Sequence, residues 1–125
     1  MKKLFGRKNR PTVLIVDDDG DIRTVVRSLI EAEDAFDILE AADGETALDL
    51  VYKEQPGLII LDYMMPGMTG ADVAKGIRTL APEARIIAFT AVLKSPPDWA
   101  DIYLEKNEID KLVPTLRLEA DAARK

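Results

Sequence analysis

Leu58-Ile59-Ile60-Leu61-Asp62-Tyr63-Met64-Met65-Pro66-Gly67 is the stretch that decides the fold. Four apolar residues, entered from Pro56-Gly57 and left through a single acid and a Met-Met-Pro loop, read as a buried parallel strand with a polar group at its carboxyl end. The same pattern occurs twice more. Val13-Leu14-Ile15-Val16 runs into Asp17-Asp18-Asp19, and Ile86-Ile87-Ala88-Phe89 runs into Thr90. Parallel strands all point one way, so the groups just past their ends gather on one edge of the sheet, where open α/β proteins bind ligands. Carboxylates beside a hydroxyl at that edge suit a hard divalent cation and a phosphoryl group.

Outward from these strands the spacing turns helical. Ile22, Val25, Val26, Leu29 and Ile30 predict one buried helix face, and Phe36–Ala41 a second strand. Asp43-Gly44 opens a helix through about Lys53, with Ala47, Leu50 and Val51 inward. Thr69 is placed to cap the next helix, with Asp72 three residues on and Val73, Ala74, Ile77 and Leu80 inward, until Pro82 stops it. After Thr90 only ten residues precede the next short strand, roughly Asp101–Leu104, and Pro96-Pro97 sits among them. A proline pair fits only the first turn of a helix, so the helix expected there is cut to one or two turns. The last helix turns Leu112, Val113, Leu116 and Ala120 inward, and Pro114 falls in its first turn if Asp110 is the N-cap. Strands and helices alternating five times give a sandwich around a central parallel sheet.

Composition narrows the chemistry. The 125 residues suit one domain, and the absence of cysteine and histidine excludes thiolate and zinc–histidine sites, disulfides, cysteine nucleophiles and histidine bases. Lys2, Lys3, Arg7, Lys8 and Arg10 give residues 1–10 a charge of +5, read as a basic flexible leader, leaving −11 on the domain over 11–125. An acidic body argues against nucleic acid as the main partner and favours a site that recruits a cation. No segment is long and apolar enough for a membrane span or a secretory signal, which points to the cytoplasm.

Crowded carboxylates repel unless a cation joins them. Mg²⁺ takes one or two carboxylates, phosphate oxygens and waters. Asp62, alone at its strand end, is positioned as a nucleophile toward phosphorus, and Thr90 as a donor to a phosphate oxygen. Lys106, at the end of Ile102-Tyr103-Leu104-Glu105, balances the charge.

With these residues in place the chain resembles the receiver domains of two-component response regulators over about residues 12–120. Val16-Asp17-Asp18-Asp19 with Ile22-Arg23 resembles the family's paired-acid motif. Asp62 through Gly70 resembles its phosphoacceptor loop, with Pro66 and Gly70 in place. Thr90-Ala91 matches the switch hydroxyl and the small residue after it, and Tyr103 stands three residues before the matching Lys106. The resemblance implies a flavodoxin-like, doubly wound α/β fold with a five-stranded parallel sheet in the order 2-1-3-4-5, its fourth helix here truncated. It implies that Asp17, Asp18, Asp62 and the backbone carbonyl of Met64 hold Mg²⁺ (or Mn²⁺), and that Asp62 is the phosphoacceptor. Thr90 and Lys106 would contact the phosphoryl oxygens, and Tyr103 would swing inward with Thr90. Asp19 is better read as a helix cap.

Two departures stand out. Asn107 replaces the proline usual after the lysine, so the Lys106–Asn107 bond is expected trans. The clipped fourth helix disturbs the family's output surface and leaves Trp99 and Leu118 to a partner face, or Trp99 to the core.

The expected function is a phosphorylation-dependent switch of a two-component phosphorelay. It would be charged by a histidine kinase or histidine phosphotransfer protein and read by an unidentified downstream protein. Neither DNA binding nor a membrane span is expected on this chain. A rival reading is a haloacid-dehalogenase-like phosphatase with Asp17 as nucleophile, since Asp17-Asp18-Asp19-Gly20 mimics that superfamily's opening motif. Another is a receiver-shaped interaction module that is never phosphorylated.

Overall fold

A strand with branched apolar side chains on both faces must be covered on both, and this requirement organises the molecule. The computed structural model describes residues 10–123. Its strands are β1 (Thr12–Val16), β2 (Asp37–Ala41), β3 (Leu58–Leu61), β4 (Arg85–Thr90) and β5 (Ile102–Glu105). They form one parallel sheet in the order β2-β1-β3-β4-β5. The helices are α1 (Gly20–Glu31), α2 (Gly44–Glu54), α3 (Gly70–Leu80) and α4 (Leu112–Ala123).

Alternate strand residues feed two cores. Leu14, Val16, Ile59 and Leu61 meet Ala47 and Val51 of α2 and Val73, Ala74 and Ile77 of α3. On the other face Val13, Ile15, Leu58, Ile60 and Phe89 meet Val26 and Ile30 of α1 and Leu112, Leu116 and Ala120 of α4. Each fully buried aliphatic side chain contributes about 1.5–3 kcal/mol. These two layers fix the sheet, and with it the edge on which the polar residues stand.

The helix caps follow the expected chemistry. Asp19 caps α1, accepting from the Asp21 and Ile22 amides, and Asp43 caps α2. Thr69 and Asp72 bond reciprocally as a capping box at the start of α3.

Three expectations need correction. Val26 and Ile30 are buried in α1, but Val25 and Leu29 are 48% and 39% exposed. The opposite flank of that helix carries Arg23 and Arg27, which pair with Glu40 of β2, so the apolar contact is narrower than the spacing predicts. Asp110 is not an N-cap: two 3₁₀ turns over Lys106–Lys111, kinked at Glu108, carry β5 straight into α4. Pro114 still falls in the first turn of α4, where its fixed φ suits the helix. The helix between β4 and β5 is missing altogether, since residues 91–101 form only bends and a turn. Each proline of Pro96-Pro97 disfavours helical backbone in the residue before it, and the connection is too short to compensate.

Trp99 stands in for that helix. It packs against the α2–α3 core and stacks on Tyr63, with ring centroids 6.2 Å apart and planes 19° apart. Asp101 then pins the segment to the sheet. Its carboxylate accepts from the Ile86 amide at 2.8 Å and from Arg78 at 3.0 Å, and it lies 3.3 Å from Arg85. Of the two roles open for Trp99, the structure gives it the core one, whereas Leu118 is 69% exposed. The leader over 1–10 lies outside the described residues except for Arg10, which bonds to Asp34 and to the Phe36 carbonyl. Among the described residues no helix is long and apolar enough to cross a membrane.

Candidate functional site

Strand register builds the site. Val16 pairs with Leu61, so Asp17 and Asp62, one residue further on, emerge side by side. Thr90 pairs with Glu105, which brings Lys106 to the same edge. Asp17, Asp62 and Thr90 are all buried, whereas Asp18 is exposed. Carboxylate oxygens, one each from Asp17, Asp18 and Asp62, lie within 4.8 Å of one another. Lys106 Nζ bridges the buried pair, 2.7 Å from Asp17 Oδ2 and 3.2 Å from Asp62 Oδ2.

Each carboxylate is also held by backbone. Asp17 Oδ1 accepts from the Asp19 amide and Asp62 Oδ1 from the Tyr63 amide. The loop after β3 is brought in tightly at Gly70. A side chain there would place its Cβ 2.4 Å from the Asp62 carbonyl oxygen, and the Gly70 amide donates to the Tyr63 carbonyl at 2.7 Å. Glycine is required because α3 begins against the peptide that carries the acid.

Burial pushes the Asp17 carboxyl above its ordinary range, and the neighbouring Asp62 adds to this against the pull of Lys106 and the Asp19 amide. Burial also opposes the charge on Lys106. Its bond to Asp17 and the field of both carboxylates outweigh that, so its pKa is raised and it stays an ammonium. Three acids around one lysine remain short of positive charge. Mg²⁺ prefers hard oxygen donors and takes one or two carboxylates together with waters and phosphate oxygens. The donor set present, carboxylates from Asp17, Asp18 and Asp62 with no soft ligand among them, therefore suits a hard divalent cation.

Of the remaining predicted residues, Thr90 ends the strand next to β3 and Tyr103 lies on β5. The Thr90 hydroxyl accepts a long 3.4 Å bond from the Val92 amide. The Tyr103 hydroxyl donates to the Leu93 carbonyl at 2.7 Å, tying the expected switch aromatic to the segment that lacks its helix. Met64 lies in the loop after β3, its side chain 56% exposed, and Val92 is 52% exposed. The Lys106–Asn107 bond is trans, as expected without proline. Sequence reading did not find the stacking of Trp99 on Tyr63, next to the acid, nor a separate task for Arg23, which donates to the Asp17 carbonyl at 2.7 Å. No periodicity signals the first. The arginine was visible only as part of the paired-acid motif.

A doubly wound sheet with an acid cage and a lysine at its carboxyl edge defines a class, and comparison with known proteins gives the same one. Residues 13–110 match the response regulator receiver domain. The chain belongs to that family, the receiver domains of two-component response regulators. It is 38% identical over 79 residues to sporulation initiation phosphotransferase F of Bacillus subtilis (strain 168), an alignment covering 63% of this chain and 63% of that protein. It therefore spans somewhat less than two thirds of this relative's length. Among solved structures it resembles the response regulator TrrA of Thermotoga maritima in complex with Mg²⁺–BeF. The TM-score is 0.79 at 32% identity, covering 87% of this chain and 98% of that one. The complex of the same regulator with the histidine kinase ThkA superposes with a TM-score of 0.78 at 32% identity, covering 87% and 97%.

Proposed function

We propose that this receiver domain accepts a phosphoryl group on Asp62 and signals the change through protein contact. The observation that carries the reading is the convergence of Asp17, Asp18 and Asp62 within 4.8 Å, with Lys106 across the buried pair. A carboxylate oxygen of Asp62 attacks phosphorus, and the bond from phosphorus to the donor breaks, leaving an aspartyl phosphate and the donor with its electron pair. The donor is a phosphohistidine on a histidine kinase or phosphotransfer protein, or a small acyl phosphate. The kinase complex of TrrA supports a partner of that kind.

Mg²⁺ or Mn²⁺, held by Asp17, Asp18, Asp62 and the Met64 carbonyl, would neutralise the charge on the transferred group. The Lys106 ammonium and the Thr90 hydroxyl take its oxygens. Phosphorylation adds about −1.5 to −2 charges on the analogy of phosphoserine, drawing Thr90 inward with Tyr103 following. Full switching from 1:99 to 99:1 needs about 5.5 kcal/mol of differential stabilisation. The output is a surface read by a downstream protein, not DNA binding by this chain, and action in the cytoplasm goes with this reading.

Met64 and Val92, two residues past Asp62 and Thr90, are exposed and apolar, so neither orients an attacking water. The aspartyl phosphate should be long-lived, and Met64→Asn or Met64→Glu should shorten its half-life several-fold, measured by loss of radiolabelled phosphate. An unchanged half-life in both variants counts against this role for the rim. The reading as a whole is tested with beryllofluoride and Mg²⁺. Amide shifts around Asp62, Thr90 and Trp99 are expected in the parent and absent in Asp62→Ala, and a parent that does not respond would refute it.

A further inference from the structure

Among the described residues Arg23 is the one side chain that joins the paired-acid turn to β2. It lies in the first turn of α1, and its guanidinium reaches acceptors on two other segments. Nη1 donates to the Asp17 carbonyl at 2.7 Å, and Nε donates to Glu40 Oε1 at 3.0 Å. Glu40 is a fixed anchor, because Arg27 holds its other oxygen and also reaches Glu31 and the Ile38 carbonyl.

The Asp17 carbonyl belongs to the peptide group that links the two amino-terminal acids of the site. Every other polar atom of Asp17 is already held. Its amide donates to the Ala41 carbonyl at 3.2 Å, Oδ1 accepts from the Asp19 amide at 2.9 Å, and Oδ2 faces Lys106 at 2.7 Å. Arg23 supplies the fourth hold, the one that fixes the plane of the Asp17–Asp18 peptide. Rotation of that plane would swing the exposed Asp18 carboxylate away from the buried pair. A planar guanidinium suits the task, since it donates in two fixed directions where a lysine ammonium acts as a point charge.

We propose that Arg23 is a positioning residue for the divalent cation: by clamping the Asp17 carbonyl to Glu40 it keeps the Asp17 and Asp18 carboxylates aimed at one point. This rests on the reading that these acids hold Mg²⁺. The competing account is that Arg23 only stitches α1 to β2, as Arg27 does. Arg27 shares Glu40 but has no bond to Asp17, so the two arginines separate the accounts.

The test is titration of the full, unphosphorylated chain with Mg²⁺, followed by amide chemical shifts of Asp17, Asp18 and Asp62, alongside thermal unfolding without metal. Arg23→Gln keeps most of the stem and should weaken Mg²⁺ binding about tenfold. Arg27→Gln should leave binding within twofold of the parent although it lowers the melting temperature by a similar amount. Arg23→Lys, which keeps the charge but loses the two-pronged geometry, should weaken binding about threefold and gives the readout even if the glutamine variant folds poorly. Parent-like affinity in the Arg23 variants, or an equal loss in Arg27→Gln, would overturn the positioning role alone. Absence of Mg²⁺-dependent shifts in the parent would overturn the proposed function and this role together.

Discussion

Lys106 is the only cation touching both buried acids among the described residues, and its removal should have an effect that depends on metal. Lys106→Met leaves Asp17 and Asp62 facing each other without a counter-charge. Breaking a buried ion pair costs about 3–5 kcal/mol, and with Lys106 21% exposed a loss near 2 kcal/mol is expected. Urea unfolding in a chelator should show that loss, and saturating Mg²⁺ should restore more stability to the variant than it adds to the parent. Gly70 is a different case. Alanine there would press a methyl group against the Asp62 carbonyl, at 2.4 Å, where the obstacle is backbone and cannot rotate away. Overpacking typically costs about 1–3 kcal/mol, and Gly70→Ala should fall at or above the top of that range and lower phosphoryl uptake as well. Both measurements probe single residues whose identity was plain in the sequence. The reason glycine is needed was not, because it depends on how closely α3 approaches the acid-bearing peptide.

The segment between β4 and β5 has lost its helix and gained two local anchors. Trp99 fills space against the α2–α3 core, and Trp99→Ala should cost about 2 kcal/mol, below the 3–5 kcal/mol of a fully buried aromatic because Trp99 is only half-buried. Asp101 supplies the other anchor. Burial alone would raise its pKa, but the Ile86 amide, Arg78 and Arg85 hold the carboxyl below its ordinary 3.8. A carboxylate with a lowered folded pKa contributes stability that is complete above its unfolded value and lost as pH falls through the folded one. Urea midpoints taken from neutral pH to below 3.8 should therefore fall less steeply in Asp101→Asn than in the parent. The short connection and the Pro96-Pro97 pair were enough to predict a clipped helix. They did not by themselves show that not even one turn forms, because the anchors that hold the segment in its non-helical course, Trp99 on the core and Asp101 on the sheet, carry no periodic signal. The same limit applies to α1, where Glu40 on β2 draws Arg23 and Arg27 to one flank and leaves Val25 and Leu29 exposed on the other. Helical spacing shows which residues share a face, whereas the width of the buried strip is set by what lies opposite.

At the scale of the molecule, the location of the site follows from three apolar runs that end in polar residues, because parallel register converts sequence position into a shared edge, whereas the strand order, observed as β2-β1-β3-β4-β5, was implied by the family resemblance. That register carries Asp17 and Asp62 to adjacent positions and Lys106 between them. A cation bound only by the folded chain stabilises it by mass action, about 2.7 kcal/mol at a hundred times the dissociation constant. Mg²⁺ should accordingly raise the melting temperature of the parent and leave Asp18→Asn nearly unmoved, while that variant melts slightly higher than the parent in chelator because one repulsive charge is gone. The most direct measurement of the central claim is to treat the chain with acetyl phosphate and Mg²⁺, reduce with borohydride, and map the product by mass spectrometry. The account predicts one modified residue, Asp62, with none in Asp62→Asn; modification of Asp17, or of no aspartate at all, would contradict it.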